Sequence, residues 1–98
     1  MKADFAPRAT ADLKRIGLRS RKVFGDPVAA ALETFIRATV ARIAAMPESG
    51  RQLPKRPSVR VVTLGRYPFK IFYTVSESAQ AITVLHIRHA AQRPWDGE

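Results

Sequence analysis

Hydrophobic residues recur along the chain at two spacings, and the change between them divides the sequence into a helical part and a strand-forming part. Between residues 8 and 46 they return every three or four positions, as on one face of a helix, whereas after residue 58 β-branched residues dominate short runs. The predicted elements are a short strand at 2–5, helices at about 8–24 and 28–46, and strands at 59–64, 69–75 and 81–87. The expected order is therefore β-α-α-β-β-β.

Turn-forming residues separate these elements and predict how they pack. Asp26 and Pro27 indicate the start of the second helix, with the aspartate side chain capping free amides, and Gly17 marks a point where the first helix can break. Residues 47–58 hold three prolines and predict a loop. Because the connections are short, we expect an antiparallel helical hairpin and an antiparallel meander of the last three strands. This is an α+β fold, an antiparallel sheet with a helical hairpin packed on one face.

Composition narrows the class of protein. The chain has 98 residues, a formal net charge of +9 and 46% hydrophobic residues, which predicts one folded domain over 1–98 rather than a basic tail. It has no cysteine and two histidines, so we expect no disulfide, no thiol nucleophile and no structural metal. No run of about 20 apolar residues and no apolar leader is present, which favours the cytoplasm. The positive charge predicts an acidic partner, although charge can also serve solubility alone.

Basic residues without acidic neighbours occupy the segment between Glu48 and Glu77. Strand alternation predicts that Arg60 and Lys70 project from the sheet face opposite the helices. Such a cluster would bind phosphates, an RNA backbone or carboxylates of a partner, and the alternative is a solvated strand face. The segment contains Arg51, Lys55, Arg56, Arg60, Arg66 and Lys70.

The end of the last strand forms a second group of polar residues, His86, Arg88, His89, Arg93 and Trp95. A histidine beside arginines can act as a general acid or base, but His86 alternates with apolar neighbours and fits a residue that lines the sheet. Trp95 can stack on a base or attach the C-terminal segment to the core, and we favour the second role.

The apolar stripe of the second helix is wide for one small sheet to cover. Its uncovered part would form a groove for an amphipathic segment of a partner, whereas ordinary core packing is the alternative. The candidate partner-binding residues are Leu32, Phe35 and Ile36.

Several short motifs in fixed order resemble the ParE/RelE toxin superfamily. The resemblance rests on RVVTLGRYPFKIFYTV from Arg60 to Val75, ITVLHIRH from Ile82 to His89, and Arg93-Pro94-Trp95. It is supported by Ala6 to Ala9 with Asp12-Leu13, and by Pro47 to Arg51. The resemblance implies the toxin of a bacterial type II pair, held inactive in a hetero-oligomer by a small DNA-binding antitoxin. RelE-like members cleave messenger RNA on the ribosome, whereas ParE-like members poison DNA gyrase.

The residues that match each branch favour the ParE-like one. Lys70 and Arg60 stand where RelE-like nucleases carry basic residues, but His89 is followed by alanine, and no tyrosine occurs after Tyr73. The resemblance therefore implies a non-catalytic gyrase inhibitor with a ParD-like antitoxin and no cofactor. Its target-binding candidates are Arg60, Lys70, Arg88 and Arg93.

The alternative is a ribosome-dependent endoribonuclease. In that case Arg60, Lys70 and Arg88 stabilise charge on the scissile phosphate, and His89 moves the proton. A third interpretation keeps only antitoxin binding.

Overall fold

Two antiparallel helices pack on one face of a five-stranded mixed sheet in the computed structural model, which describes residues 1–95. The strand order in the sheet is β1-β5-β4-β3-β2. The elements are β1 Lys2–Phe5, α1 Pro7–Phe24, α2 Asp26–Ala45, β2 Arg51–Gln52, β3 Val59–Thr63, β4 Phe69–Ser76 and β5 Ala81–His89. The α+β class, the helical hairpin and the meander of the last three strands are confirmed.

The sheet differs from the prediction at both of its edges. β1 pairs in parallel with β5, so the sheet is mixed rather than antiparallel, and the predicted loop contains the short strand β2, which pairs with β3. Both pairings join segments whose partners are not evident from local hydrophobic spacing.

The helix boundaries also differ in detail. Helix α1 runs without a break through Gly17, because burial of its apolar stripe outweighs the cost of about 1 kcal/mol that glycine adds inside a helix. Gly25, with a φ of 91°, is the N-cap residue of α2, and Asp26 makes no side-chain cap. Asp26 instead lies in the first turn, where a carboxylate interacts favourably with the helix dipole.

Each face of the sheet carries its own apolar cluster. The larger core lies under the helices and includes Ile36, Ile43, Ile71, Tyr73 and Ile87, all almost completely buried. On the opposite face a smaller cluster forms from Leu53, Val59, Val61 and Phe72, with Leu85 and Trp95 packed against it. The face expected to be open is therefore partly covered by the chain after β2 and by the C-terminal segment.

Arg60 lies on the helix-packed face and not on the opposite one. It stands directly across from Tyr73, a core residue, and the two side chains together hold the loop that follows α2. The Tyr73 hydroxyl accepts the Gly50 N–H at 2.9 Å and donates to the Pro47 carbonyl at 2.7 Å, while Arg60 donates to the Gly50 carbonyl at 2.7 Å. The neighbouring valines belong to the smaller cluster on the other face, which reverses the direction that alternation predicted for Arg60.

No helix in the part of the chain that the structure describes is long and apolar enough to cross a membrane.

We expect Tyr73→Phe to lower the free energy of unfolding by about 1–3 kcal/mol, because it leaves the buried Gly50 N–H without its acceptor. Urea denaturation followed by circular dichroism measures the change. Tyr67→Phe is the matched control, since Tyr67 is only half-buried and packs edge-on against Phe35. Equal stability of the native chain and Tyr73→Phe would show that the hydroxyl does not anchor the loop.

Candidate functional site

Four cations line a cleft on the sheet face opposite the helices, which we call the cationic cleft. Lys70 of β4 and Arg88 of β5 stand directly across from each other, and Arg51 and Arg93 join them around a volume of about 190 Å³. Like charges placed opposite on neighbouring strands repel each other. Among residues 1–95 no carboxylate lines the cleft, so its chemistry suits an anion.

A buried aspartate completes the edge of the strand that carries Arg88. Because Pro7 ends β1, the last backbone bond from that side is Ala6 N–H to the Val84 carbonyl, at 2.8 Å. Farther along β5, the side chain of Asp12 from α1 accepts the Ile87 N–H at 2.9 Å. The Asp12 carboxylate therefore supplies a hydrogen-bond acceptor to β5 beyond the end of β1.

The same carboxylate holds a buried histidine. Asp12 Oδ2 lies 2.5 Å from His86 Nδ1, and Asp12 Oδ1 accepts a bond from Arg15 at 2.7 Å. Asp12 is 2% exposed and His86 is 5% exposed. A bulge opposite Phe72 and Tyr73 gives β5 one extra residue, which leaves His86 next to Phe72, on the face of the cleft.

The tautomer of His86 follows from its second partner. Arg88 Nη1 lies 3.2 Å from His86 Nε2, and a guanidinium can only donate, so Nε2 is the acceptor. Nδ1 therefore carries the proton and donates to Asp12. Arg88 also donates to the Arg93 carbonyl at 2.7 Å, which ties the C-terminal segment to β5.

Burial and the surrounding charges set the protonation of this pair. Burial lowers the pKa of His86 below its usual 6.5; the nearby Asp12 opposes this shift, and the charges of Arg8 and Arg88 add to it. Burial alone would raise the pKa of Asp12, but the bonds from Ile87, His86 and Arg15 lower it below 3.8. A neutral imidazole thus faces an ionised carboxylate at neutral pH.

Aromatic contacts close one side of the cleft. The Trp95 ring packs edge-on against Phe72 and His86, with centroid distances of 4.8 and 5.1 Å. The Arg8 guanidinium carbon lies 5.7 Å from the centre of the Trp95 ring, within the range of a cation–π contact. Trp95 therefore lies against the smaller apolar cluster.

Three of the four target-binding candidates, Lys70, Arg88 and Arg93, meet in the cationic cleft, whereas Arg60 lies on the other face. His89 is exposed at the end of β5, where it lines the cleft, packs edge-on against Phe69 and accepts the Ala91 N–H through Nδ1 at 3.0 Å.

The residues predicted on α2 to bind a partner are mostly core residues. Leu32 is 5% exposed and Ile36 is 1% exposed, because α1 and the sheet together cover the apolar stripe of the helix more fully than we expected. A partner cannot reach them in the folded chain. Phe35 is half-buried and packs edge-on against Tyr67, with the Arg66 guanidinium over its ring.

Sequence reasoning missed the role of Asp12. Its position three residues after the buried Ala9 and four before Ile16 is the signal for a place on the buried face. The partner His86 is 74 positions away, which no local pattern indicates.

A second surface lies between the C-terminal half of α1 and the ends of β4 and β5, and we call it the apolar groove. It encloses about 870 Å³, with Ile16, Leu18, Val23, Phe69 and Ile87 as its apolar lining. Leu18 and Val23 are 60% and 58% exposed. Arg15, Arg19 and Lys22 also line it, and in the described part of the chain it has no acidic lining residue. The groove therefore suits an amphipathic segment that carries negative charge.

Comparison with known proteins gives a family and a fold. The family model described as the ParE toxin of the type II toxin–antitoxin system parDE matches residues 3–94. No curated protein matches the chain significantly.

Among solved structures, the chromosomal ParDE system of P. aeruginosa contains a chain of similar fold, with 24% identity and a TM-score of 0.77 over 91% of this chain and 95% of that one. The isolated E. coli RelE toxin is 17% identical, with a TM-score of 0.62 over 94% of this chain and 86% of its own. An E. coli RelE mutant in complex with an antitoxin RelBc peptide is 14% identical, with a TM-score of 0.69 over 94% and 84%. At these identities the structures show a shared fold.

We expect the free energy of unfolding to decrease as the pH is lowered, because of the buried pair of Asp12 and His86. The lowered pKa of His86 means that, below about pH 6.5, the unfolded chain takes up a proton that the folded chain refuses. The free energy of unfolding is therefore highest above pH 6.5 and decreases below it, by up to about 1.4 kcal/mol per pH unit for one proton. Asp12, whose pKa is lowered, adds a further loss only below pH 3.8.

Urea denaturation between about pH 8 and pH 5 measures this slope. His86→Gln should flatten it, whereas His89→Gln, which removes an exposed ring, serves as the control. The same slope in the native chain and in His86→Gln would assign the pH dependence to other groups.

Proposed function

Because the chain belongs to the ParE family of type II toxin–antitoxin toxins, we propose that it inhibits DNA gyrase in the cytoplasm and is neutralised by a ParD-like antitoxin. In this proposal the toxin binds gyrase and stabilises its cleaved-DNA state without catalysing a reaction. Lys70, Arg88 and Arg93 of the cationic cleft would make the contacts, with Arg51 beside them.

One observation carries the choice of binding over catalysis: the cleft collects four cations, whereas His86, the buried histidine behind it, is not free to transfer a proton. His86 Nδ1 is held by Asp12 and Nε2 by Arg88. General acid–base catalysis needs a group within hydrogen-bond reach of the reacting atoms. The arrangement supports a surface that holds an acidic target by charge.

We expect purified toxin to reduce the supercoiling activity of gyrase and to trap double-strand breaks in plasmid DNA. Lys70→Ala should require about tenfold more protein for the same effect, since one lost charge contact is worth roughly 1.4 kcal/mol. Arg42→Ala is the matched control, because Arg42 is exposed on α2, outside the set of residues that line the cleft.

Unchanged supercoiling and cleavage at high molar excess of folded toxin would contradict the gyrase proposal. Equal potency of Lys70→Ala and the native chain would contradict the assignment of the cleft as the contact surface.

The RelE-like alternative is favoured by a single observation, the presence of His89 beside Lys70 and Arg88 around the cleft. A ribosome-dependent nuclease would use the two cations to stabilise charge on the phosphate and His89 to move a proton. Messages cut at the ribosomal A site by the native chain, but not by His89→Ala, would establish it.

The apolar groove supports the antitoxin as a partner. It offers apolar side chains for one face of a helix, and the cations Arg15, Arg19 and Lys22 lie where an acidic face would meet them. In this proposal the occupant is an acidic amphipathic helix of the ParD-like antitoxin.

We expect the double variant Arg19→Glu with Lys22→Glu to weaken antitoxin binding about 10- to 100-fold, because it replaces attraction by repulsion around the groove. Calorimetric titration with the product of the adjacent small open reading frame measures the affinity. Arg42→Glu, on α2, should leave it unchanged. Loss of binding in both variants would indicate a general charge effect, and no loss in either would place the antitoxin elsewhere.

A further inference from the structure

Arg88 depends for its position on His86, which lies outside the lining of the cationic cleft, and on the backbone of Arg93. Arg88 Nη1 donates to His86 Nε2 at 3.2 Å and its Nη2 donates to the Arg93 carbonyl at 2.7 Å. Its other N–H groups remain for an anion. The guanidinium is therefore held between two acceptors beside Lys70.

The imidazole can accept this bond in one tautomer only. With the proton on Nδ1, the Nε2 lone pair faces Arg88; with the proton on Nε2, an N–H group would face a cation. Asp12 selects the first tautomer, because its Oδ2 lies 2.5 Å from Nδ1. A carboxylate that orients an imidazole in this way acts through the tautomer and not by contact with a ligand.

The Asp12 carboxylate is itself fixed from several directions. It accepts the Ile87 N–H from the strand that carries Arg88, and Arg15 from its own helix. The chain of contacts therefore runs from α1 through Asp12 and His86 to Arg88, and each side chain in it has a defined donor or acceptor role. Such a chain preorganises the guanidinium before a ligand arrives, which reduces the entropy lost on binding.

We propose that Asp12 and His86 are positioning residues of the cationic cleft, which hold Arg88 in the orientation that binds an oxyanion such as the phosphate group of an acidic target. The inference rests on the proposed function only in taking the cleft as the target-binding surface.

Sulfate is the probe that tests this proposal, because the charge of sulfate stays constant near neutral pH. Sulfate is titrated into the full chain at about pH 7.5, and the backbone amide signals of Lys70 and Arg88 are followed by NMR. His86→Gln preserves both roles, since an amide can donate to Asp12 and accept from Arg88, and should bind sulfate within about twofold of the native chain. His86→Phe keeps an aromatic ring beside Phe72 and Trp95 but offers no acceptor, and should weaken sulfate binding about fivefold to tenfold.

A double-mutant cycle separates positioning from a general loss of structure. In an Arg88→Ala background, His86→Phe should have no further effect, because the interaction it removes is already absent. An equal loss in both backgrounds would overturn the proposal, as would full sulfate affinity in His86→Phe or no sulfate shift at Lys70 and Arg88 in the native chain.

The tautomer gives an independent readout. Nitrogen-15 shifts of the imidazole should show the Nδ1–H form in the native chain, and Asp12→Ala, which removes the acceptor of that proton, should change the tautomer and weaken sulfate binding together. A changed tautomer with unchanged sulfate affinity would overturn the proposal. None of these measurements uses gyrase, so their failure and failure of the gyrase assay are distinguishable.

Discussion

β5 is longer than β1, the strand that pairs with its outer edge. Beyond the end of β1, the ionised side chain of Asp12 accepts a backbone hydrogen bond from β5. β1 ends at Phe5, opposite Val84, whereas β5 continues to His89. A carboxylate removed from water costs several kcal/mol unless its hydrogen-bonding capacity is filled, and here a backbone amide, an imidazole and a guanidinium fill it. One side chain thus joins α1 to the sheet, satisfies the strand edge and orients the histidine behind the cleft.

The two candidate surfaces both have lining residues on β4 and β5 but differ in chemistry. The cationic cleft lies on the sheet face away from the helices and presents cations beside Trp95, whereas the apolar groove lies between α1 and the strand ends. Residues of β5 line both: Arg88 in the cleft, Ile87 in the groove and His89 at each. One small chain therefore presents a charged surface and an apolar surface that lie on different sides of the sheet.

Hydrophobic spacing predicted the elements and their local packing, because those features depend on neighbours in sequence. The hairpin and the meander follow from short connections, and both are present. The parallel pairing of β1 with β5 depends on residues about 80 positions apart, such as Lys2 and Ala81, which no local pattern relates. Arg60 was assigned to the wrong face because alternation gives the period of a strand but not which side carries the core. Lys70, Arg88 and Arg93 lie together around the paired ends of β4 and β5, and their role as target-binding residues stays a prediction.

The pairing of the first strand with the last also determines when the sheet and the cationic cleft can assemble during synthesis of the chain. β1 leaves the ribosome first, yet its partner β5 lies near the other end of the chain, as do His86 and Arg88. A nascent chain without β5 has no edge for β1 to join, no partner for Asp12 and no cleft. The pairing of β1 with β5 can form only after β5 has been synthesised, and pairing over such a sequence distance is slow. An incomplete toxin therefore carries no assembled cationic surface, and a message cut short in translation yields a product without it.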